Sequence, residues 1–310
     1  MIGIILALLS SASFSMNSVM SRRGVAAASA SAGAFITVLM GVPMFLIAAL
    51  VTGQLFNACD VELNAYVLLS MAGILHFGVG RYFNYRSIGA IGATRAAPAQ
   101  GLATPYAILI AFIFLGESIN LPMAIGIVLV LAGPMIMVER KKQPAKQPAG
   151  GSGTGASTQF ELRQVDGYLS SMAAVLAYGT SPILIRGALQ DTTDLSIYGG
   201  LVAYVAASLA LIATLAHPKR RGLVADLRLP AIKLFIGSGF FSFLAQLLRF
   251  AALAVAPVAV VNPLMRTASI FTLIFSMTFN RHLEVINRKV VAGILLSVAG
   301  VLLILLNRAT

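Results

Sequence analysis

Tryptophan is absent from this 310-residue chain, cysteine occurs once and histidine three times. The lone Cys59 excludes an intramolecular disulfide and any multi-cysteine metal site. Without Trp, an aromatic belt at a membrane interface must be built from Tyr and Phe. Charge is scarce too: Asp, Glu, Lys and Arg make up 10% of the residues, against about 25% in a soluble domain. No Walker motif, Ser/His/Asp set or metal-spaced His/Cys cluster occurs. The chain therefore does not read as an enzyme or a self-contained ATP-driven pump, and no cofactor is expected.

What is abundant is apolar surface. Hydrophobic residues are 58% of the chain, more than a core of this size can bury, so the solvent around it must be lipid. Apolar runs fall near 2–20, 33–52, 66–88, 92–115 and 121–138, then near 167–186, 197–216, 231–252, 257–279 and 290–307. Crossing a bilayer core takes roughly 20 such residues. Between the two groups lies a polar stretch, Glu139 to Asp166, whose Gly/Ser/Pro/Gln-rich part reads as flexible linker. The first run, Ile2–Met20, is followed by Arg22 and Arg23 instead of being preceded by charge, which predicts a retained helix and not a signal peptide. The net charge of +12 sits in short loops and forms no nucleic-acid patch.

The two groups match each other. Glu117 is followed nine and sixteen residues later by Gly126 and Gly133, and Glu284 by Gly293 and Gly300 at the same spacings. Pro98 and Pro263 correspond at an offset of 165, Phe14–Asn17 lies opposite Tyr178–Ser181, and Arg22 opposite Arg186. An odd number of helices per repeat makes the second half enter the membrane from the other side. The expected fold class is an all-α integral membrane protein of ten transmembrane helices in two inverted five-helix repeats, 1–138 and 167–310, joined by the linker 139–166.

Leu115-Gly116-Glu117 ahead of Gly126 and Gly133, preceded by Thr104-Pro105-Tyr106, together with the aromatic-small-x-Asn/Ser pattern of both opening helices, resembles the EamA-type ten-helix transporters of the drug/metabolite transporter superfamily. The resemblance covers nearly the whole chain. It implies a metabolite or amino-acid permease, often an exporter. Two departures stand out: no Arg in 33–52, and Asn280-Arg281-His282-Leu283 where Leu-Gly would precede Glu284.

Odd-numbered loops hold 18 of the 22 basic residues, counting Arg22, Arg81 and Arg95 at helix ends, whereas the even loops and termini hold Arg186, Arg249 and Arg308. By the positive-inside rule the odd loops face the cytoplasm and both termini lie outside the inner (plasma) membrane.

No acid falls within an apolar run, which argues against a cationic-drug antiporter. Arg266 lies near the centre of 257–279, where an unpaired charge is costly, and is the leading candidate to meet an anionic substrate. Asn17, Ser181, Tyr178, Arg81, Gln246, Gln100 and Asn262 complete the candidate lining, with Tyr82, Asn84 and Thr104 beside them. Pro98, Pro105, Pro257 and Pro263 are candidate hinges, because proline frees a helix carbonyl. His76 is the candidate proton carrier, and Glu117 and Glu284 are read as structural acids at the starts of the fifth and tenth helices. The expected function is secondary transport of a small anionic or zwitterionic metabolite, amino acids first, by alternating access around a midplane pocket. The partners are that solute and the lipid bilayer, and the alternative is a flippase for a lipid-linked sugar or phospholipid. Oligomeric state is not legible.

Overall fold

The structure, a computed structural model, describes residues 2–56, 62–103, 105–106, 109–110, 120–137, 162–188, 195–216, 229–255, 264–265 and 267–308, without the side chains of 182, 186, 250, 253–255 and 305–308. Arg266, Asn262, Pro257, Pro263, Thr104 and Glu117 lie outside the described residues.

Among the described residues ten helices run in chain order: α1 (Ile2–Ala27), α2 (Ala30–Val51), α3 (Leu63–Ile91), α4 (Ala93–Gln100), α5 (Leu121–Met137), α6 (Gln164–Ala188), α7 (Ser196–Thr214), α8 (Leu229–Val255), α9 (Ala268–Phe279) and α10 (Arg288–Arg308). Six of them, α1, α2, α3, α6, α7 and α8, contain windows long and apolar enough to cross a membrane. Among the described residues there is no strand. Polarity is turned inside out relative to a soluble bundle. Ser10, Ser11, Ser13, Ser15 and Ser21 of α1 are buried, while Val51, Leu63, Val128, Met135 and Leu209 face outward. Lipid is the solvent that tolerates that surface.

The packing carries the repeat. Helix α1 packs on α8 and α9, and α6 packs on α3 and α4; α2 meets α8 as α7 meets α3. The pairs α2–α7, α4–α9 and α5–α10 each join equivalent helices, so exchanging the first five helices with the last five leaves these principal contacts unchanged. The sense of the exchange is visible at the glycines. Gly126 lies against the Gly300 carbonyl and Gly133 against that of Gly293, where an added Cβ would sit 2.8 and 2.6 Å from those oxygens. Early α5 therefore meets late α10. The equivalent helices run antiparallel, as an inverted repeat requires.

Asn120 and Asn287 begin α5 and α10 in the same manner. Each side-chain oxygen accepts from the amide three residues on, Met123 N at 3.1 Å and Val290 N at 3.0 Å. These are N-caps. Asn120→Ala and Asn287→Ala are each expected to lower stability by about 1 kcal/mol, read as the midpoint of unfolding followed by circular dichroism in detergent.

Loops of like parity gather at one end. Arg163 N donates to Ala90 O at 3.1 Å, Arg86 pairs with Asp166 at 2.7 Å, and Arg23 reaches Asn280 Oδ1 at 2.7 Å. At the opposite end Gln54 Oε1 accepts from the Ile197 and Tyr198 amides at 2.9 and 3.0 Å.

The run read from hydropathy is too short at the first helix. Helix α1 continues past residue 20 because Arg22 is buried and does not mark a loop: its guanidinium donates to Leu283 O (2.6 Å) and Gly89 O (3.2 Å) and lies 3.8 Å from a Glu284 oxygen. Arg81 and Arg95 are likewise interior, 7% and 1% exposed, and do not snorkel to a surface. Glu284 does not serve the tenth helix. Its carboxylate crosses to the start of α4 in the other repeat, accepting from Ala93 N and Thr94 Oγ1, both at 2.6 Å, and from Thr94 N at 3.4 Å.

Candidate functional site

Helix α3 is the element that shapes the centre. From Ile74 to Gly80 it winds as a π-helix before resuming the α-form at Arg81. One wide turn shifts every later side chain around the axis relative to a regular helix, and such turns recur at functional sites. His76 lies on the π-segment, and Arg81, Asn84, Tyr85 and Ile88 follow it along the face that lines a cavity of about 350 Å³ between the repeats.

Helices α4 and α9 supply two more walls, through Ala96, Ala97 and Gln100 on one and Ala268, Ser269 and Thr272 on the other. They occupy corresponding positions of the two halves, the arrangement in which transporter sites are found. The fourth helix is interrupted by a turn at Gly101–Leu102. Pro98 sits inside the segment before the turn, and Pro105, which has no N–H to offer residue 101, is buried just beyond it. Pro98 lines the cavity and Pro105 does not.

Several residues singled out from sequence meet on this wall: Asn17, His76, Arg81, Gln100, Tyr178 and Gln246. Asn17 Oδ1 accepts from Ser238 Oγ at 2.6 Å and Ser21 Oγ at 3.3 Å, bridging α1 and α8. Gln100 Nε2 donates to Asn84 Oδ1, joining α4 to α3. His76 Nδ1 lies 2.7 Å from Ser181 Oγ, and its ring centroid is 4.6 Å from that of Tyr178. Ser181 is fully buried and reaches the cavity through His76. Tyr82 faces a different, apolar cavity between α2, α3 and α7.

Arg81 is committed to the protein. It donates to Tyr204 Oη at 2.9 Å, Ser242 Oγ at 3.1 Å and Thr37 O at 3.2 Å, and its guanidinium lies 5.1 and 5.5 Å from the Phe77 and Tyr204 ring centroids. A buried cation needs such satisfaction when no carboxylate is near. The network ties α2, α7 and α8 to the resumed α-helical turn of α3.

Arg249 escapes a reading based on loop charges. It is not a surface residue of an even loop; it lies within α8, on the cavity wall. Ser242, Gln246 and Arg249 are spaced by four and three, which places them on one helical face. That spacing, starting from Gln246, is the signal that could have found it.

At one end of the bundle the cavity wall abuts the buried Glu284 cluster. Burial pushes the Glu284 carboxyl above its ordinary range, while the Thr94 hydroxyl, the Arg22 guanidinium and the Ala93 and Thr94 amides pull it back. Gly92, at φ +84°, begins α4 there, and the space a Cβ would need is filled by the Glu284 carboxylate.

No curated protein matches the chain in sequence. A crystal structure is similar at a TM-score of 0.56 over 99% of this chain and 98% of that one, with 15% sequence identity, which supports the fold alone. The profile of the EamA-like transporter family matches residues 1–138 and 166–306, one stretch over each half. An all-helical membrane protein whose two halves pack as one repeated unit, each matched by that profile, this chain belongs to the EamA-like transporter family.

Proposed function

We propose that the protein is a secondary transporter of small anionic or zwitterionic metabolites, amino acids among them, which alternates access to the cavity between its repeats. The observation that carries this reading is the cavity itself. Its wall draws on both halves and joins amide, hydroxyl and guanidinium groups at mid-helix depth, where a mere packing core would be apolar. A volume of about 350 Å³ suits a metabolite. The repeats 1–138 and 167–310 are the two bodies that rock, joined through 139–166. The turn at Gly101–Leu102, between Pro98 and Pro105, and the prolines Pro257 and Pro263 of the second half supply the hinges. Arg266 belongs to the substrate path on its sequence position, and His76 is the candidate carrier of a coupling proton, a reading supported by its contact with Ser181 and Tyr178 beside the cavity.

Orientation follows from the charges that remain once the interior arginines are set aside. Removing Arg22, Arg81 and Arg95 from one side and Arg249 from the other leaves the odd loops far richer in Lys and Arg. The end that holds Arg86, Arg163 and Arg23 then faces the cytoplasm of the inner membrane, with both termini outside.

The test is uptake into proteoliposomes across a panel of amino acids, carboxylates and phosphorylated metabolites. Saturable accumulation of an anionic or zwitterionic solute is the expected result, lost in a folded Arg266→Gln variant. A solute moved equally by both proteins removes Arg266 from the path. If the wild-type protein moves nothing in the panel but scrambles a fluorescent phospholipid, the flippase reading replaces this one.

A further inference from the structure

Among the described residues the cavity wall carries two guanidiniums, and they are in opposite condition. Arg81 has three acceptors from the protein, from α2, α7 and α8. Arg249 has no hydrogen-bond or ion-pair partner among the described residues, and its Nε is buried with nothing to receive its proton. An unsatisfied buried guanidinium is costly, and a site tolerates it where a ligand completes it. The Nε–H and one terminal N–H of arginine form the parallel pair that matches the two oxygens of a carboxylate.

The described wall offers an ammonium group nothing comparable. It has no carboxylate, so an ammonium would meet only neutral amide and hydroxyl oxygens, and those of Asn17 and Asn84 already accept from Ser238 and Gln100. An ammonium would also approach two guanidiniums of its own sign. Apolar side chains, Phe14, Ile88, Ala96, Val298 and Val301 among them, supply a surface for an apolar body beside the polar groups.

Building on the transporter reading, we propose that Arg249 receives the substrate carboxylate, and that the cavity selects organic anions with an apolar body and no ammonium group. This narrows the solute class from anions and zwitterions to anions. Arg249 sets specificity, and Arg81 holds the wall on which it acts.

Three probes share one phenylethyl body: 3-phenylpropionate carries a carboxylate, phenethylamine an ammonium, and phenylalanine both. Equilibrium binding of radiolabelled 3-phenylpropionate to the purified full chain in detergent, competed by the other two, reads the proposal directly. The expected order is 3-phenylpropionate tightest, phenylalanine weaker and phenethylamine without effect. Arg249→Gln should weaken 3-phenylpropionate at least about tenfold, with Arg249→Lys between, since a charged hydrogen-bond pair is lost in the first and its fork geometry in the second.

Phenylalanine or phenethylamine competing as well as 3-phenylpropionate overturns the proposal, and so does wild-type affinity in a folded Arg249→Gln protein. Absence of saturable carboxylate binding to the wild type overturns it as well. If Arg249→Gln does not fold, the wild-type competition order and Arg249→Lys still decide. Transport by wild-type proteoliposomes separates the two failures. Uptake of a zwitterion independent of Arg249 sinks this inference and leaves a transporter, whereas no uptake of any solute sinks the transporter reading itself.

Discussion

Glu284→Ala is expected to destabilise the protein by about 3–5 kcal/mol, the cost typical of removing one partner from a buried ion pair. The carboxylate side chain is fully buried and its partner Arg22 is 2% exposed, so water cannot replace what is lost. Three donors at the start of α4 lose their acceptor at once: the Ala93 amide, the Thr94 amide and the Thr94 hydroxyl. Arg22 keeps its bonds to the Leu283 and Gly89 carbonyls but loses the neutralising charge.

Glu284→Gln preserves the shape and one acceptor oxygen, yet sets an N–H₂ group against amides that are themselves donors, so a smaller loss is expected. Adding Arg22→Met to Glu284→Ala should cost less than the sum of the single changes, because the orphaned cation is gone. Since Trp is absent, unfolding is followed by circular dichroism in detergent with an SDS or urea titration. A loss below about 1 kcal/mol for Glu284→Ala would show that the cluster is solvated in the membrane and is not a closed ion pair.

The second large effect is expected at the crossing of α5 and α10. Gly133→Leu should prevent the two helices from meeting, because the first atom of any side chain there falls against Ser297 and 2.6 Å from the Gly293 carbonyl oxygen. Backbone cannot rotate away as a flexible side chain can. Even Gly133→Ala is expected to cost about 1–3 kcal/mol, the range for overpacking a well-filled core. In lipid no hydrophobic force holds helices together, so loss of close approach is not compensated by burial elsewhere.

Gly78→Ala is the contrast. A Cβ there meets nothing within 4 Å, so the change should be neutral within about 0.5 kcal/mol. Folded yield in detergent and the unfolding midpoint read both variants. A Gly133→Leu protein as stable as the wild type would mean that α5 and α10 do not cross at these glycines.

Most of the architecture was legible in the chain. Ten apolar runs of membrane-spanning length and the matched Glu–Gly–Gly spacings require two five-helix halves of opposite sense, and the antiparallel meeting of Gly126 with Gly300 and Gly133 with Gly293 answers that requirement. Much of the cavity wall was legible too, because a polar residue within an apolar run has few places to go. Asn17, Arg81, Gln100 and Gln246 come from four different helices and all line one cavity.

Other features were hidden for physical reasons. A positive charge near the end of an apolar run reads as a loop marker, since most such charges reach water. Arg22 and Arg81 do not, and what keeps each inside is a set of groups from distant helices that no local pattern announces; Arg249 lies on the cavity wall, on the helical face it shares with Gln246. Glu284 reads as an acid for the helix it precedes; only the crossing of chain segments brings it to the first amides of α4. The π-helical turn at Ile74–Gly80 likewise has no signature in composition, because the wider winding is set by what packs around it. The sequence alone thus determined the lipid solvent, the number and pairing of the helices and their inverted sense, all of which follow from hydropathy, length and repeated spacing. Tertiary structure decided which interior charge is neutralised, which is satisfied by hydroxyls and carbonyls, and which has no partner among the described residues, because those outcomes depend on contacts between residues far apart in the chain.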